Sequence, residues 1–179
     1  MTIDYPIWDG GAWREVPIPA MDGVGLVVPN VAAVVYRTGG RDEIVLQRRD
    51  KEGEPVRGRW EIPGGRWHAG EAAGDAVRRE VKEETGLDVT WTSADGVRTE
   101  AAPGRPFDAA RPEVIVAGLA GAYPALVVVF LAEADGEPRA LPGETRGPQW
   151  WPIAKAVALR DTDPGAFTGP TLGALRAVL

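Results

Sequence analysis

The sequence contains no cysteine and only one histidine, His68. Without cysteine there can be no disulfide framework, no thiolate metal site and no cysteine nucleophile. A single histidine also argues against a histidine-built zinc centre or a Ser/His triad. Any metal site must therefore be built from carboxylates, and oxygen ligands favour a hard cation such as Mg²⁺ or Mn²⁺.

Basic residues are in the minority, with 20 Lys and Arg against 26 Asp and Glu and a net charge of −6. Proteins whose main partner is duplex nucleic acid present a basic face, so the charge argues against that partner. It does not argue against a small phosphorylated substrate, because bound cations supply positive charge locally.

Long apolar runs are also scarce, and the one uncharged stretch of membrane-spanning length is 114–132. Gly118, Gly121 and the Tyr123-Pro124 pair interrupt it, so we predict two short buried segments around a turn. Residues 1–6 lack the basic and apolar regions of a signal peptide. These features predict a cytoplasmic protein with no membrane partner.

A chain of 179 residues is best interpreted as one domain. Residues 1–30 are rich in Pro, Gly and Trp and predict an N-terminal arm or edge strands ahead of a domain at 31–179. Such an arm hints at a homodimer.

Strands and helices alternate irregularly within the domain, which favours an α+β helix–sheet–helix sandwich. Residues 101–124 carry no assignable pattern. The predicted elements are strands at 31–36 and 43–48 joined at Gly39-Gly40, a polar loop at 50–59, strands at 60–62, 87–91, 126–131 and 150–151, and a last helix at 171–179.

The most informative segment is a glycine-rich loop leading into a predicted helix at 72–85, which Gly86 terminates. At roughly 100° per residue, Glu80 and Glu84 lie about 40° apart, with Glu83 about 60° from Glu80. Like charges this close repel each other and oppose the helix dipole. A divalent cation on the shared face would offset that cost, although a solvated acidic face is the simpler interpretation of the glutamates alone.

The spacing around these glutamates is more specific. Gly65, five residues, Glu71, seven residues, Arg79-Glu80, an aliphatic, one residue, Glu83-Glu84, one residue, Gly86 and an aliphatic follow one another between Gly65 and Leu87. This pattern resembles the signature of the Nudix hydrolase family at every defined position, and the strand expected before it is present at 60–62.

The resemblance implies a Nudix-type α/β/α sandwich with a central mixed sheet and a pyrophosphohydrolase dependent on Mg²⁺ or Mn²⁺. Its metal ligands would be Glu80 and Glu84, with Glu83 shared or secondary, and the backbone carbonyl of Gly64. A glycine suits that position because the chain must approach the ion closely.

Supporting roles follow from the same resemblance. Arg79 would orient a glutamate of the cluster, and Glu71 would pair with Arg79 to hold the loop, starting at Gly65, on the helix. The general base is either Glu80 or a glutamate of a later loop, for which Glu144 is the candidate.

Substrate contacts are predicted at the end of the second strand and on the short strand beyond it. Arg48 and Arg49 could meet phosphates, because a guanidinium matches phosphate geometry. Glu61 is a third candidate substrate contact, whereas its neighbour Trp60 is predicted to be core in preference to stacking on a base.

The box predicts the chemistry and leaves the substrate open. A nucleoside diphosphate linked to another moiety, or a nucleoside triphosphate, is favoured. Pro103 favours an ADP-ribose or nucleotide-sugar pyrophosphatase, whereas Gly64 departs from the alanine common in those enzymes. A non-catalytic nucleotide-binding regulatory module usually has a broken box, and this box is intact. An isoprenoid diphosphate isomerase would need a cysteine, and a DNA glycosylase is disfavoured by the acidic charge.

Overall fold

A computed structural model describes residues 2–8, 13–19, 27–119, 125–140 and 145–179. Within these ranges the chain forms strands, three α-helices and one 3₁₀ turn at Pro164–Ala166. The helices are α1 (Ala73–Thr85), α2 (Ile153–Thr162) and α3 (Gly169–Val178). The strands are β1 (Thr2–Trp8), β2 (Trp13–Pro19), β3 (Val28–Arg37), β4 (Glu43–Arg49), β5 (Trp60–Glu61), β6 (Gly64–Arg66), β7 (Asp88–Thr92), β8 (Val97–Ala102), β9 (Arg105–Ala109), β10 (Val114–Ala117), β11 (Ala125–Asp135) and β12 (Thr145–Pro152).

The main sheet has the order β10-β11-β3-β4-β12, with β5 beside β4, β6 beside β3 and β7 beside β11. Strands β11 and β3 run parallel over ten residue pairs, and the other pairings are antiparallel. Apolar residues fill both central strands without alternation, as expected where both faces of a sheet are covered. The predicted central mixed sheet is confirmed.

The two faces of this sheet bury separate cores. One core joins α1 to the side chains of β3, β4 and β11 that point toward it, including Val31, Val45 and Phe130. The other lies against α2 and α3 and contains Leu46, Trp151 and Phe167. Because successive strand residues point to opposite faces, Val45 and Leu46 belong to different cores. The α/β/α sandwich predicted from the sequence is therefore confirmed.

Several predicted boundaries follow from local turn chemistry. Gly39, in the turn between β3 and β4, has a φ of 97°. Gly86 ends α1 in the left-handed region at a φ of 72°, and its N–H donates to the carbonyl of Lys82. A residue with a Cβ is strained in this conformation, which is why glycine stops the helix here.

Two regions differ from the sequence-based expectation or extend it. Helix α2 carries no amphipathic signal and was not predicted; its only fully buried residue is Ala156. Most of the unassigned stretch forms the β8–β9 hairpin and edge strand β10.

The uncharged stretch pairs with itself, Val114 opposite Val129, as two antiparallel strands. Residues 120–124, where the turn was predicted, lie outside the described ranges. No helix formed by the described residues is long and apolar enough to cross a bilayer.

At the N-terminal end, β1 and β2 pair with each other from Thr2↔Pro19 to Trp8↔Trp13. The predicted boundary between residues 1–30 and the domain remains a prediction, as does the homodimer.

Candidate active site around the glycine–glutamate motif

The glycines before the helix are required by close packing. Strand β6 pairs with β3 so tightly that a Cβ on Gly64 would overlap the carbonyl of Val31 and the Cα of Ala32. A Cβ on Gly65 would overlap the carboxylate of Glu80. The loop therefore lies directly on the carboxylate-bearing helix, and any side chain at Gly65 would displace Glu80.

Helix α1 is held at its N-terminus by a distant segment. Its N-cap residue, Ala72, supplies no side-chain hydrogen bond, and the Ala73 N–H instead donates to Oδ2 of Asp108 at 3.1 Å. Arg78 adds a bidentate pair with Asp95, with both N···O distances 2.6 Å. The segment carrying the β8–β9 hairpin thus fixes the start of the helix that presents the glutamates.

Arg79 binds several groups of the motif at once. Its Nε and one terminal nitrogen donate to the two oxygens of Glu71 at 2.8 and 2.9 Å. The other terminal nitrogen donates to Glu80 Oε1 at 2.6 Å and to Glu83 Oε2 at 3.3 Å. A further bond of 3.0 Å to the carbonyl of Arg66 ties the loop to the helix. The pairing lowers the pKa of Glu71 and raises that of Arg79, mainly through their mutual hydrogen bonds.

Glu84 is held from two other elements. The Gly64 N–H donates to its Oε2 at 2.9 Å, and Nε2 of Gln47 on β4 donates to the same oxygen at 2.6 Å. Burial raises the pKa of Glu84 well above its ordinary value, and the neighbouring Glu61 and Glu80 carboxylates raise it further. Burial also raises the pKa of Glu80, against the opposing effect of Arg79.

These shifts describe a site with surplus buried negative charge. The carboxylates of Glu61 and Glu80 both raise the pKa of Glu84 across the junction of β5, β6 and α1. Glu83 differs, because its side chain is 59% exposed and it contacts Arg79 at the outer edge of the cluster. A bound cation would neutralise the inner charges.

The donor set can be tested against the ion that the family resemblance implies. No three His, Cys, Asp or Glu side chains of the described residues lie close enough together to form a ready cage for an ion. Mg²⁺ does not need one, since it typically takes one or two carboxylates and keeps water or substrate phosphate as its other ligands. Glu80 and Glu84, beside the half-buried backbone of Gly64 and Gly65 that lines a cavity, fit that requirement.

Of the two predicted phosphate-binding arginines, Arg49 lines the cavity beside the glycine loop. Arg48 and Arg49 point to opposite faces of β4. Arg48 stacks 3.7 Å from the ring centroid of Trp60 and donates to the carbonyl of Gly58. Arg49 forms a bidentate pair with Glu54 at 2.7 and 2.9 Å and lies 3.8 Å from Glu61.

Trp60 is buried, with 7% of its surface exposed, and packs edge-on against Trp151 with ring centroids 4.7 Å apart. The preference for a core role over base stacking is confirmed. Arg48, stacked on this core ring, has a structural contact rather than a position at the cavity.

A cavity of about 540 Å³ opens beside the glycine loop. Its walls combine apolar strand residues with a few polar groups and the start of α3, a mixture suited to an organic ligand with polar ends. The predicted site residues among its lining are Arg49, Glu61, Gly64 and Gly65.

Sequence reasoning missed three residues of this region. Gln47 contacts Glu84, Glu54 binds Arg49, and Asn30 lines the cavity. Of these three residues, only Gln47 could have been found from the sequence pattern, because it is a polar residue directly after a buried apolar run. Glu144, the second candidate for general base, lies outside the described residues.

Comparison with known proteins agrees with this geometry. A model of the NUDIX domain family matches residues 27–168. A relative from Caenorhabditis elegans named "Putative nudix hydrolase 1" is 48% identical over 55 residues, which make up 31% of this chain and 15% of that protein. The chain thus matches only a small part of that relative.

Solved structures with the same fold include a MutT NUDIX hydrolase from Burkholderia pseudomallei, 23% identical with a TM-score of 0.62, covering 87% of this chain and 100% of that one. DR0079 from Deinococcus radiodurans is 17% identical with a TM-score of 0.59 and covers both chains completely. The NUDIX domain of NrtR from Shewanella oneidensis, solved with ADP ribose, is 15% identical with a TM-score of 0.54, covering 89% of this chain and 90% of that one. Since the family model matches well over half of the sequence and includes the whole glycine–glutamate motif, the chain belongs to the Nudix hydrolase family.

Proposed function

We propose that this protein hydrolyses a phosphoanhydride bond in a nucleoside diphosphate linked to another moiety, or in a nucleoside triphosphate, with Mg²⁺ or Mn²⁺. One observation carries the proposal. Glu80 and Glu84 each have one oxygen fixed by a protein donor, beside a glycine loop that borders the cavity. Such an arrangement presents carboxylate oxygens to an ion while leaving room for a phosphate chain.

The ion would be held by Glu80, Glu84 and the carbonyl of Gly64, with Glu83 shared or secondary. When bound, it neutralises phosphate oxygens and lowers the pKa of bound water. The chain itself keeps these ligands in place: Arg79 fixes Glu80, and Glu71 fixes Arg79. With Gly65 leaving space for the Glu80 carboxylate, the ligands are arranged before substrate arrives.

Proton removal from the attacking water needs a general base, and two candidates remain. Burial raises the pKa of Glu80, which moves it toward the range that suits a base working near neutral pH. Glu144, which directly precedes β12 in the sequence, is the alternative. A pH–rate profile of each glutamine variant separates them, because only loss of the true base removes the acidic limb.

Arg49 and Glu61 line the cavity and are the residues that we propose contact substrate. Arg49 pairs with Glu54 and lies 3.8 Å from Glu61, and in this position at the cavity wall its guanidinium would meet a substrate phosphate. Arg48, also predicted to bind phosphate, is engaged with Trp60 and Gly58, and a phosphate contact there would require it to move.

An ADP-ribose or nucleotide-sugar pyrophosphatase is the alternative within the same chemistry. The neighbour from Shewanella oneidensis was solved with ADP ribose, which shows that this fold accommodates such a ligand. Pro103 adds little to that alternative, because Pro103 and Gly104 form the exposed turn of the β8–β9 hairpin. Pro followed by a glycine at a φ of 73° suits a tight turn without any substrate role. Small nucleotide substrates also agree with the predicted cytoplasmic location.

The test is a panel of nucleoside triphosphates, nucleotide sugars and ADP-ribose with Mg²⁺ or Mn²⁺, with products resolved by chromatography. We expect one class to be cleaved, EDTA to abolish turnover and Glu84→Gln to lose several orders of magnitude. Glu137→Gln, an exposed glutamate paired with Arg37, is the matched control and should behave as wild type. If no compound is cleaved, but one raises the melting temperature, the proposed hydrolase is wrong and the nucleotide-binding regulatory module replaces it.

A further inference from the structure

Gln47 occupies a position of β4 whose surroundings favour an apolar side chain. It lies on β4 between Val45 and Arg49 on the face that packs against α1, and it is completely buried. Neighbouring side chains on that face, such as Val31, Val45 and Val77, form an apolar core. A buried polar residue among them needs a specific reason.

Its hydrogen bond supplies that reason. Nε2 of Gln47 donates to Glu84 Oε2 at 2.6 Å, and the Gly64 N–H donates to the same oxygen at 2.9 Å. A carboxylate that binds a metal ion must be ionised, and an ionised carboxylate only accepts hydrogen bonds, so Gln47 has to turn the NH₂ side of its amide toward Glu84 when the ion is bound. Two donors from two elements therefore fix one oxygen of Glu84.

The other oxygen, Oε1, receives no hydrogen bond from any of the described residues. Glu80 shows the same division, since Arg79 donates to its Oε1, while its Oε2 receives no hydrogen bond from the residues that the structure describes. In each inner glutamate one oxygen holds the side chain in place and the second is left for another ligand.

This arrangement has a cost in the folded protein. The carbonyl oxygen of Gln47 is buried and makes no hydrogen bond within the described part of the chain. A buried acceptor without a donor destabilises the fold, and an apolar side chain here would remove that penalty, which offsets the loss of the hydrogen bond to Glu84. Polar groups kept at such a cost concentrate at functional sites.

We propose that Gln47 is a positioning residue that fixes Glu84 Oε2, so that Oε1 faces the divalent cation. The proposal rests on the metal-dependent function above and assigns to β4 a role outside the glycine–glutamate motif. Groups that orient a metal ligand typically change metal affinity or activity by roughly 10–100-fold when removed.

The experiment measures Mn²⁺ affinity by electron paramagnetic resonance for wild type and Gln47→Leu, and the melting temperature of both proteins without metal. We expect the Mn²⁺ dissociation constant to rise about 10–100-fold while the metal-free melting temperature stays equal or increases. Gln47→Met, closer in shape, repeats the test if the leucine variant does not fold. Gln149→Leu makes the same chemical change at an exposed position of β12 and should alter neither quantity.

A lower Mn²⁺ affinity without a lower melting temperature distinguishes a positioning role for Gln47 from support of the fold. Unchanged Mn²⁺ affinity in both Gln47 variants overturns the proposal, even if their melting temperatures fall. If wild type itself binds no Mn²⁺, the metal-dependent function fails and this inference fails with it. If wild type binds Mn²⁺ and the variants bind it equally, only the role of Gln47 is lost.

Discussion

The two faces of the main sheet contrast in what they bury. The face toward α2 and α3 holds large apolar and aromatic side chains, including Trp60, Trp151 and Phe167. The face toward α1 is filled mainly with alanine and valine, with Phe130 as its one fully buried aromatic residue among the described residues, and beside the glycine loop it also buries Gln47 and Glu80. Within the described ranges the first face buries only neutral polar groups, such as Thr171 and the indole N–H of Trp151, whereas the α1 face also buries carboxylates.

The polar groups buried on the α1 face and the aromatic packing on the other face therefore contribute with opposite sign to the stability of the fold. Buried carboxylates with raised pKa values and an amide oxygen without a donor oppose folding. Aromatic packing on the opposite face offsets that cost. Strand β4 contributes to both faces, because Leu46 packs in the core toward α2 and α3, whereas Gln47 points toward α1. Variants on the two faces should therefore fail in different assays.

The largest effect is expected from Glu80→Gln on the α1 face. The change keeps the shape and removes the charge that we propose binds the ion, so activity should fall roughly 10⁴-fold, about 5.5 kcal/mol. Glu83→Gln is the matched comparison, since Glu83 is exposed and lies at the edge of the cluster. Steady-state kinetics showing equal losses for the two variants would contradict the division into inner and outer glutamates.

The same variant changes the pH dependence of stability. In metal-free protein the raised pKa of Glu80 means that the folded state holds its proton more tightly than the unfolded state. The free energy of unfolding must then fall as pH rises above the ordinary value of 4.5, through the raised folded-state pKa. Glu80→Gln removes this contribution, so denaturant titrations without metal should show a shallower decline with pH. A steeper decline would show that the sign is wrong.

Phe167→Ala should give the second-largest effect. It should lower the free energy of unfolding and leave the site intact. Phe167 is 1% exposed and packs in the core against α2 and α3. Deleting a buried aromatic ring destabilises a protein by about 3–5 kcal/mol. Urea titration measures the loss, and Phe107→Ala on the exposed face of β9 is the control. Mn²⁺ affinity of the folded Phe167 variant should remain that of wild type.

Arg79→Lys should have a smaller effect, confined to the α1 face. A lysine keeps the charge and loses the planar fork that holds Glu71, Glu80 and the Arg66 carbonyl together. We expect activity to fall roughly 10–100-fold. Arg78→Lys, one residue away and paired with Asp95 at the surface, should lose less than about fivefold, because an exposed ion pair contributes only roughly 0.2–1 kcal/mol. Equal losses of activity in the two variants would show that the planar geometry of the Arg79 guanidinium is not what the site requires.

The smallest effect is expected at the start of α1. Asp108→Ala removes the acceptor for the Ala73 N–H, and losing a helix cap typically costs about 0.5–1 kcal/mol at an accessible site. Thermal unfolding should detect it, with Asp88→Ala, an exposed partner of Lys82, as control. A melting temperature equal to that of the control would show that the hairpin does not support the helix.

What the sequence predicted well depends on near neighbours in the chain. The end of α1 at Gly86 follows from one residue's conformational freedom, and the shared face of Glu80 and Glu84 follows from helical periodicity. Strands of the central sheet were predicted because their apolar runs are continuous. The family assignment rests on spacing within 23 residues, Gly65 to Leu87, and is confirmed.

What it could not predict depends on contacts between distant segments. Asp108 caps a helix 35 residues earlier, and Gln47 meets Glu84 across 37 residues. No local pattern records either contact. Arg48 and Arg49 looked equivalent in sequence, and only the alternation of β4 separates them. Helix α2 was missed because its apolar residues form no continuous stripe, and tertiary packing decided its conformation.

Arg79 is shared by three acidic residues, and this has a consequence for how the motif can change over evolutionary time. When Glu71, Glu80 or Glu83 is lost, the guanidinium can redistribute its bonds among those that remain. The effects of single substitutions in this group should therefore not add, and the order in which they occur should matter. Each of the four positions therefore changes the cost of a substitution at the other three, so a change tolerated in one sequence background need not be tolerated in another.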